Sequence, residues 1–170
     1  MAGFLGRYYT TLDDKGRCSL PAKLRTFVGA GKKPLLDGSL VLTKGLEGCL
    51  ILFPKSEWDT IQSRLSAFPF TQRDFRHFSR WFYSSAGIVA PDKNGRILIP
   101  SHLIEEAGLK KDLLVIGLDR WVEIWNPERF DYFLKQFSGS YEDVAERLLT
   151  GNGTGGDQGA SPAGDGSRSS

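Results

Sequence analysis

The sequence predicts an α+β fold with a mainly β core, assembled from two similar halves with helices at its periphery. Three observations carry that expectation. Sliding the chain by 79 places Asp13, Gly16, Arg17, Leu20, Pro21 and Leu24 on Asp92, Gly95, Arg96, Ile99, Pro100 and Leu103. Sliding it by 72 lays "TKGLEGCLILFPKSEW" (43–58) over "VIGLDRWVEIWNPERF" (115–130), each with Gly-Leu-acid, an apolar run ending in an aromatic, and a helix start. Within each half, short β-type runs bounded by turn residues precede segments of helical period. The first copy is therefore seven residues longer, an insertion that must fall between Pro21 and Thr43 and is assigned to "GAGKKPLLDG" (29–38).

Each half contains the same turn, "DDKGRCSLP" (13–21) and "DKNGRILIP" (92–100). Aspartate at the first turn position accepts a hydrogen bond from the backbone N–H two residues on. Gly16 and Gly95 supply the positive φ that lets a hairpin loop re-enter its strand. Short strands are expected at Arg17–Leu20 and Arg96–Ile99, each ended by a proline whose fixed φ suits the first helical position. In "PSHLIEEAGL", Leu103, Ile104 and Ala107 form one face and Gly108 is the stop. Further strands are expected at Leu40–Leu42 and Leu50–Phe53, and at Leu113–Gly117 and Val122–Trp125.

Helices close each half. "PKSEWDTIQSRLSAF" has Ser56 and Asp59 at capping-box spacing, with Trp58, Ile61 and Leu65 on one face. "TQRDFRHFSRWFYSS" repeats that spacing with Thr71 and Asp74 and is expected to bury Phe75, Phe78, Trp81 and Phe82. "NPERFDYFLKQF" begins with Asn126 as cap, and "SYEDVAERLL" with Ser140. The expected organisation is a first unit over 4–84 (β core about 7–54), a second over 85–149 (β core about 86–127), and a tail over 150–170. That tail is Gly-, Ser- and Ala-rich without a large apolar residue, and is expected to be disordered.

Composition narrows the function. A chain of 170 residues, 40% hydrophobic, has ample material for a packed core. Cys18 and Cys49 show no CxxC spacing, which argues against a zinc site or a disulfide framework and fits a reducing cytosol. No basic-then-apolar leader and no membrane-length apolar run is seen. Charge is uneven: residues 1–35 hold seven bases against Asp13 and Asp14, whereas residues 119–149 hold four bases against seven acids. A polyanion partner on one face is compatible with that imbalance. His77 reads as a helix-surface or core-edge residue and His102 as a helix-start residue, and no nucleophile, phosphate-loop or metal motif is present. No catalytic residue, metal, cofactor, small-molecule substrate or membrane association is expected.

The turn needs only its aspartate and glycine, yet an arginine recurs at the same register beside a second base. Arg17 with Lys15, and Arg96 with Lys93, ride on the two projecting loops. An arginine fork can bond guanine O6 and N7 together, and a lysine suits phosphate. The bland alternative is an Asp–Arg pair that merely staples each turn.

On "GRYYTTLDDKGRCSLPAKLR" (6–25), "DKNGRILIPSHLIEEAGL" (92–109) and "WVEIW" (121–125), the chain resembles the MraZ family of bacterial transcription regulators over roughly residues 4–149. The resemblance implies duplicated AbrB-like swapped-hairpin units forming a double-split β-barrel with peripheral helices. It also implies a ring-shaped homo-oligomer in the cytoplasm, associated with the nucleoid. Such a ring would bind short repeated promoter boxes in double-stranded DNA and repress its own division and cell-wall operon. The family's DxxxR positions fall on Asp13 with Arg17 and on Asp92 with Arg96, giving Asp13, Lys15, Arg17, Asp92, Lys93 and Arg96 as expected DNA contacts. The second copy has Asn94 where the first has Lys15, so the first loop is expected to be the stronger reader. An antitoxin-like protein-interaction module on the same scaffold, docking through the aromatic stripe of 75–82, is the alternative.

Overall fold

The computed structural model describes residues 3–25 and 39–151. The insertion assigned to 29–38, and the expected tail beyond Gly151, lie outside the described residues. One compact unit runs to Gln136 and a second begins at Phe137.

The first unit contains β1 (Phe4–Thr11), β2 (Arg17–Ser19), α1 (Ala22–Arg25), β3 (Leu40–Lys44), β4 (Leu50–Pro54), α2 (Lys55–Leu65) and α3 (Arg73–Ser85). It continues with β5 (Gly87–Val89), β6 (Arg96–Leu98), α4 (Ser101–Glu106), β7 (Asp112–Asp119), β8 (Trp121–Trp125) and α5 (Pro127–Gln136). The fold is thus mixed α+β around sheet, and the expected strands appear with ends shifted by one or two residues.

Two strands escaped the sequence reading, and they explain the architecture. The six-stranded sheet runs β1-β7-β8-β4-β3-β5, antiparallel throughout, and β2 pairs with β6 in a separate two-stranded ribbon. Each half's first strand therefore leaves its own half: β1 pairs with β7, from Phe4↔Asp119 to Thr11↔Asp112, and β5 pairs with β3. Among the described residues the strands do not close into a barrel. The sheet is open, with β1 and β5 at its edges.

The repeat is visible in the backbone as well. Among the described residues Glu47 (φ 64°) and Asp119 (φ 58°) are the non-glycine residues with positive φ, 72 positions apart, each the acid of a Gly-Leu-acid turn. Gly117 marks the tightest seam: a Cβ there would lie 2.6 Å from the Leu5 nitrogen, so β1 can run beside β7 only along a bare backbone.

Both faces of the sheet are covered over β3, β4 and β7, so these strands read as continuous apolar runs rather than alternations. Leu40, Leu42, Leu50, Leu52, Leu113, Val115, Val122 and Ile124 face the principal core, which Cys18 and Ile97 of the ribbon and Leu24 and Leu103 of α1 and α4 complete. Each such side chain contributes about 1.5–3 kcal/mol on burial. On the opposite face Val41 and Phe53 pack with Trp58 of α2 and Phe82 of α3, and Cys49, Leu114 and Trp125 with Phe130 of α5. Both cysteines are free and buried, and burial pushes the Cys18 thiol up to about 12.

Helix caps divide into two kinds. The Asn126 Oδ1 accepts from the N–H groups of Glu128 (2.9 Å) and Arg129 (3.4 Å), as expected of a cap. Neither Ser56 nor Thr71 caps anything: α2 starts directly from Pro54 and α3 from Gln72, each without a side-chain cap. Pro54 ends β4 and leaves no turn in which Ser56 could precede the helix, and Arg76 Nη1 bonds the carbonyls of Phe70 and Thr71 instead. The aromatic stripe is also only partly buried. Phe82 stacks on Trp58 at 5.0 Å and Phe78 on Phe82 at 5.0 Å, but Trp81 is 65% exposed. Trp81 lies about 100° around the helix from Phe82, off the packed line.

The second unit holds α6 (Tyr141–Leu149), with the Ser140 Oγ accepting from the Asp143 N–H at 3.1 Å, the expected cap. Its Tyr141, Leu148 and Leu149 are exposed.

Candidate nucleic-acid interface

The two repeated turns fold alike. In the first, the Asp13 N–H donates to the Arg17 carbonyl (2.9 Å) and the Gly16 N–H to the Asp13 carbonyl (3.1 Å). In the second, the Asp92 N–H donates to the Arg96 carbonyl (2.8 Å) and the Gly95 N–H to the Asp92 carbonyl (2.9 Å). Gly16 and Gly95 have φ of 79° and 73°, the left-handed region where a Cβ is strained.

The aspartates organise each loop through both carboxylate oxygens. Asp13 Oδ1 accepts from the N–H groups of Lys15 (3.0 Å) and Arg17 (2.8 Å), and Oδ2 from Arg17 Nε (2.8 Å). Asp92 does the same with Asn94 (2.8 Å), Arg96 N–H (2.9 Å) and Arg96 Nε (3.1 Å). The staple that the sequence left as an alternative is therefore present in both loops. It engages one N–H of each guanidinium, at Nε. Among the described residues the Nη groups of Arg17 and Arg96 have no hydrogen-bond partner, so each fork is oriented and its far edge remains open.

The backbone N–H of Arg17, more than any other group, holds the Asp13 carboxyl below the usual aspartate range, and that of Arg96 does the same for Asp92. Such groups stabilise the loops above the unfolded-state pKa, and the contribution is lost as pH falls through the lowered folded value. Carboxyl-detected NMR titration should show both aspartates still ionised at a pH where ordinary aspartates are half protonated. Ordinary titration of both would overturn the loop geometry.

The ribbon holds the loops side by side. Arg17 lies opposite Leu98, Cys18 opposite Ile97, and Ser19 opposite Arg96. The loops also bond across the midpoint: the Leu20 N–H donates to the Gly95 carbonyl (2.9 Å) and the Ile99 N–H to the Gly16 carbonyl (2.8 Å). With Cys18 and Ile97 turned into the core, the period of two turns Arg17, Ser19, Arg96 and Leu98 to the opposite, outer face. Lys15 and Lys93 are exposed on the loop tips. A two-stranded ribbon of this kind is narrow enough to enter the major groove of B-form DNA.

Elsewhere the molecule offers less chemistry. His77 and His102 are exposed, on α3 and in the first turn of α4. Among the described residues no group of three or more His, Cys, Asp or Glu is placed to hold a metal ion, and no helix is long and apolar enough to cross a membrane. An apolar groove of about 380 Å³ opens beside Leu46, Phe78 and Trp81. Leu98 and Ser19 share the arginines' outer face without having been singled out, because only the β2–β6 register reveals it.

The chain is thus a duplicated α+β protein with strands exchanged between its halves and two like-folded Asp-x-x-x-Arg turns on one ribbon. A family model described as "MraZ protein, putative antitoxin-like" matches twice, over residues 4–81 and 82–152. The transcriptional regulator MraZ of Heliobacterium modesticaldum is 45% identical over 146 residues, covering 86% of this chain and 96% of that protein. Those of Syntrophomonas wolfei (40% over 146 residues, 86% and 96%) and Caldanaerobacter subterraneus subsp. tengcongensis (42% over 144 residues, 85% and 95%) are similar. The chain belongs to the MraZ family.

Proposed function

We propose that this chain is a sequence-specific DNA-binding transcriptional regulator rather than an enzyme, and that it reads duplex DNA with the two DxxxR loops of the β2–β6 ribbon. The observation that carries this is the pair of like-folded loops on one solvent-facing ribbon, each holding an arginine by Nε alone. Fixing the fork in advance lowers the ordering cost of a bidentate bond to guanine. Lys15 and Lys93 on the tips would position the loops on phosphates. The names of the relatives favour the same reading.

One ribbon touches few base pairs, too few to select a promoter in a genome. A ring-shaped homo-oligomer answers that shortage, because linked ribbons on repeated boxes gain about 10²–10⁴-fold in avidity. The targets are then repeated boxes in the promoter of its own division and cell-wall operon, repressed by occupancy, in the cytoplasm at the nucleoid. The exchange of β1 and β5 between halves favours the swapped-hairpin, double-split arrangement. Exposed Leu46, Phe78 and Trp81 form an apolar face that assembly would cover.

The test is binding by fluorescence anisotropy to the DNA upstream of its own gene, cut to one or to three boxes. Three boxes should bind at least 100-fold more tightly than one. Equal affinity would remove the avidity argument, and no preference over scrambled DNA would remove the function.

A further inference from the structure

The two loops differ in a way the linear repeat hides. Offset by 79, Arg25 at the end of α1 corresponds to Ile104 in α4. Because the halves intertwine, each of these residues covers the other half's loop. Ile104 Cδ1 lies 3.5 Å from where a Cβ on Gly16 would sit. Arg25 takes the same place over Gly95, with Nη1 closest and Cζ at 2.5 Å and Nε at 2.7 Å from the corresponding point. Gly95 is glycine for its φ of 73°, and its missing side chain leaves the space in which the Arg25 guanidinium lodges.

That guanidinium is chemically unfinished. Its Nε is buried against the loop without a hydrogen-bond partner, which leaves the Nη edge to meet an external anion, and among the described residues Arg25 forms no ion pair. The acid of the second loop, Asp92, already accepts from the Asn94 N–H, the Arg96 N–H and Arg96 Nε. Lys93 and Arg96 add positive charge on the same loop. A cation pressed against a cationic loop is costly unless an anion completes it. The first loop has two acids, Asp13 and Asp14, against Lys15 and Arg17; the second has Asp92 against Lys93, Arg96 and the imported Arg25.

We propose that Arg25 is the phosphate-binding residue of the second loop, gripping the backbone of duplex DNA and replacing in space the lysine that Asn94 lacks in sequence. This rests on the DNA-reading function above and adds a contact to it. The second loop then matches the first as a reader, contrary to what the loop sequences alone suggest. A guanidinium fork suits phosphate oxygens, and its flat seat on Gly95 holds it without a side-chain partner.

The experiment measures anisotropy with the full chain, a labelled duplex from upstream of its own gene and a scrambled duplex of equal length, across a series of KCl concentrations. Arg25→Ile copies the packing of Ile104 and removes the charge. It should weaken binding to both duplexes by a similar factor, about 10-fold, and reduce the slope of log K against log [salt] by about 0.9 per engaged loop. Arg25→Lys should recover most of the slope. Should Arg25→Ile lose its cooperative melting transition, Arg25→Gln, which keeps a polar stem, carries the same test. Wild-type affinity and slope in Arg25→Ile, with Arg17→Ala defective, would reduce Arg25 to packing. A loss confined to the promoter duplex at unchanged slope would overturn the phosphate assignment. Wild-type binding by Arg17→Ala and Arg96→Ala would instead sink the loop-reading function itself.

Discussion

Arg17→Ala should lose promoter binding by about 5–150-fold for each loop engaged, the equivalent of the 1–3 kcal/mol that a bidentate arginine–guanine pair discriminates. The fold should survive. Among the described residues Arg17 gives one side-chain bond, through Nε to Asp13, and the pair is a third exposed. The turn itself stands on backbone groups: Asp13 Oδ1 keeps its bonds from the N–H groups of residues 15 and 17, and Gly16 keeps its φ. Arg17→Lys separates charge from geometry, since it should retain scrambled-DNA affinity and lose preference for the promoter. Anisotropy on both duplexes, beside a thermal melt followed by circular dichroism, checks these outcomes. If Arg17→Ala melted far below wild type, the pair would be a structural staple and the binding loss uninformative.

Phe4→Ala should cost about 3–5 kcal/mol of stability, the range for deleting a buried phenyl ring. Phe4 is the fully buried residue of β1 and sits in the principal core, with Tyr8 of the same strand packed against that core only partly buried. It anchors the strand exchange at Phe4↔Asp119. The far end of β1 runs into the first loop, where the Leu12 N–H donates to the Lys111 carbonyl at 2.8 Å. Loosening β1 should therefore disorder the first loop more than the second, visible as faster amide exchange at Lys15 and Arg17 than at Asn94 and Arg96. Phe4→Leu, which refills much of the volume, should recover most of the stability. A melting temperature near wild type in Phe4→Ala would mean that β1 is dispensable.

Local chemistry was legible in the sequence. The Asp-x-x-Gly-Arg turns, the caps at Asn126 and Ser140 and the proline-led helix α4 each depend on residues within a few positions of one another, and each was readable at that range. Non-local placement was not. β1 has a single buried side chain and its Gly6 has φ of 104°, so it carries neither alternation nor an apolar run, and its partner lies about a hundred residues away. The exposure of Trp81 depends on which line of α3 meets Trp58. Arg25 counted only as one more base in a basic segment until the strand crossing brought it to Gly95. The candidate site was visible as two loops; that they share one ribbon required the β2–β6 register.

The bonds between Leu20 and Gly95, and between Ile99 and Gly16, join two loops that belong to one molecule. Tethered partners stay together at any dilution and need not be identical. Here the backbone keeps its near two-fold form while the chemistry on either side of the midpoint diverges, with a lysine at 15 on one flank and an arginine from 25 on the other. A reader built so has a head and a tail. Palindromes suit matched half-readers, whereas a polar reader fits boxes that all run in the same direction, and reversing one box in a row of three should cost it that contact.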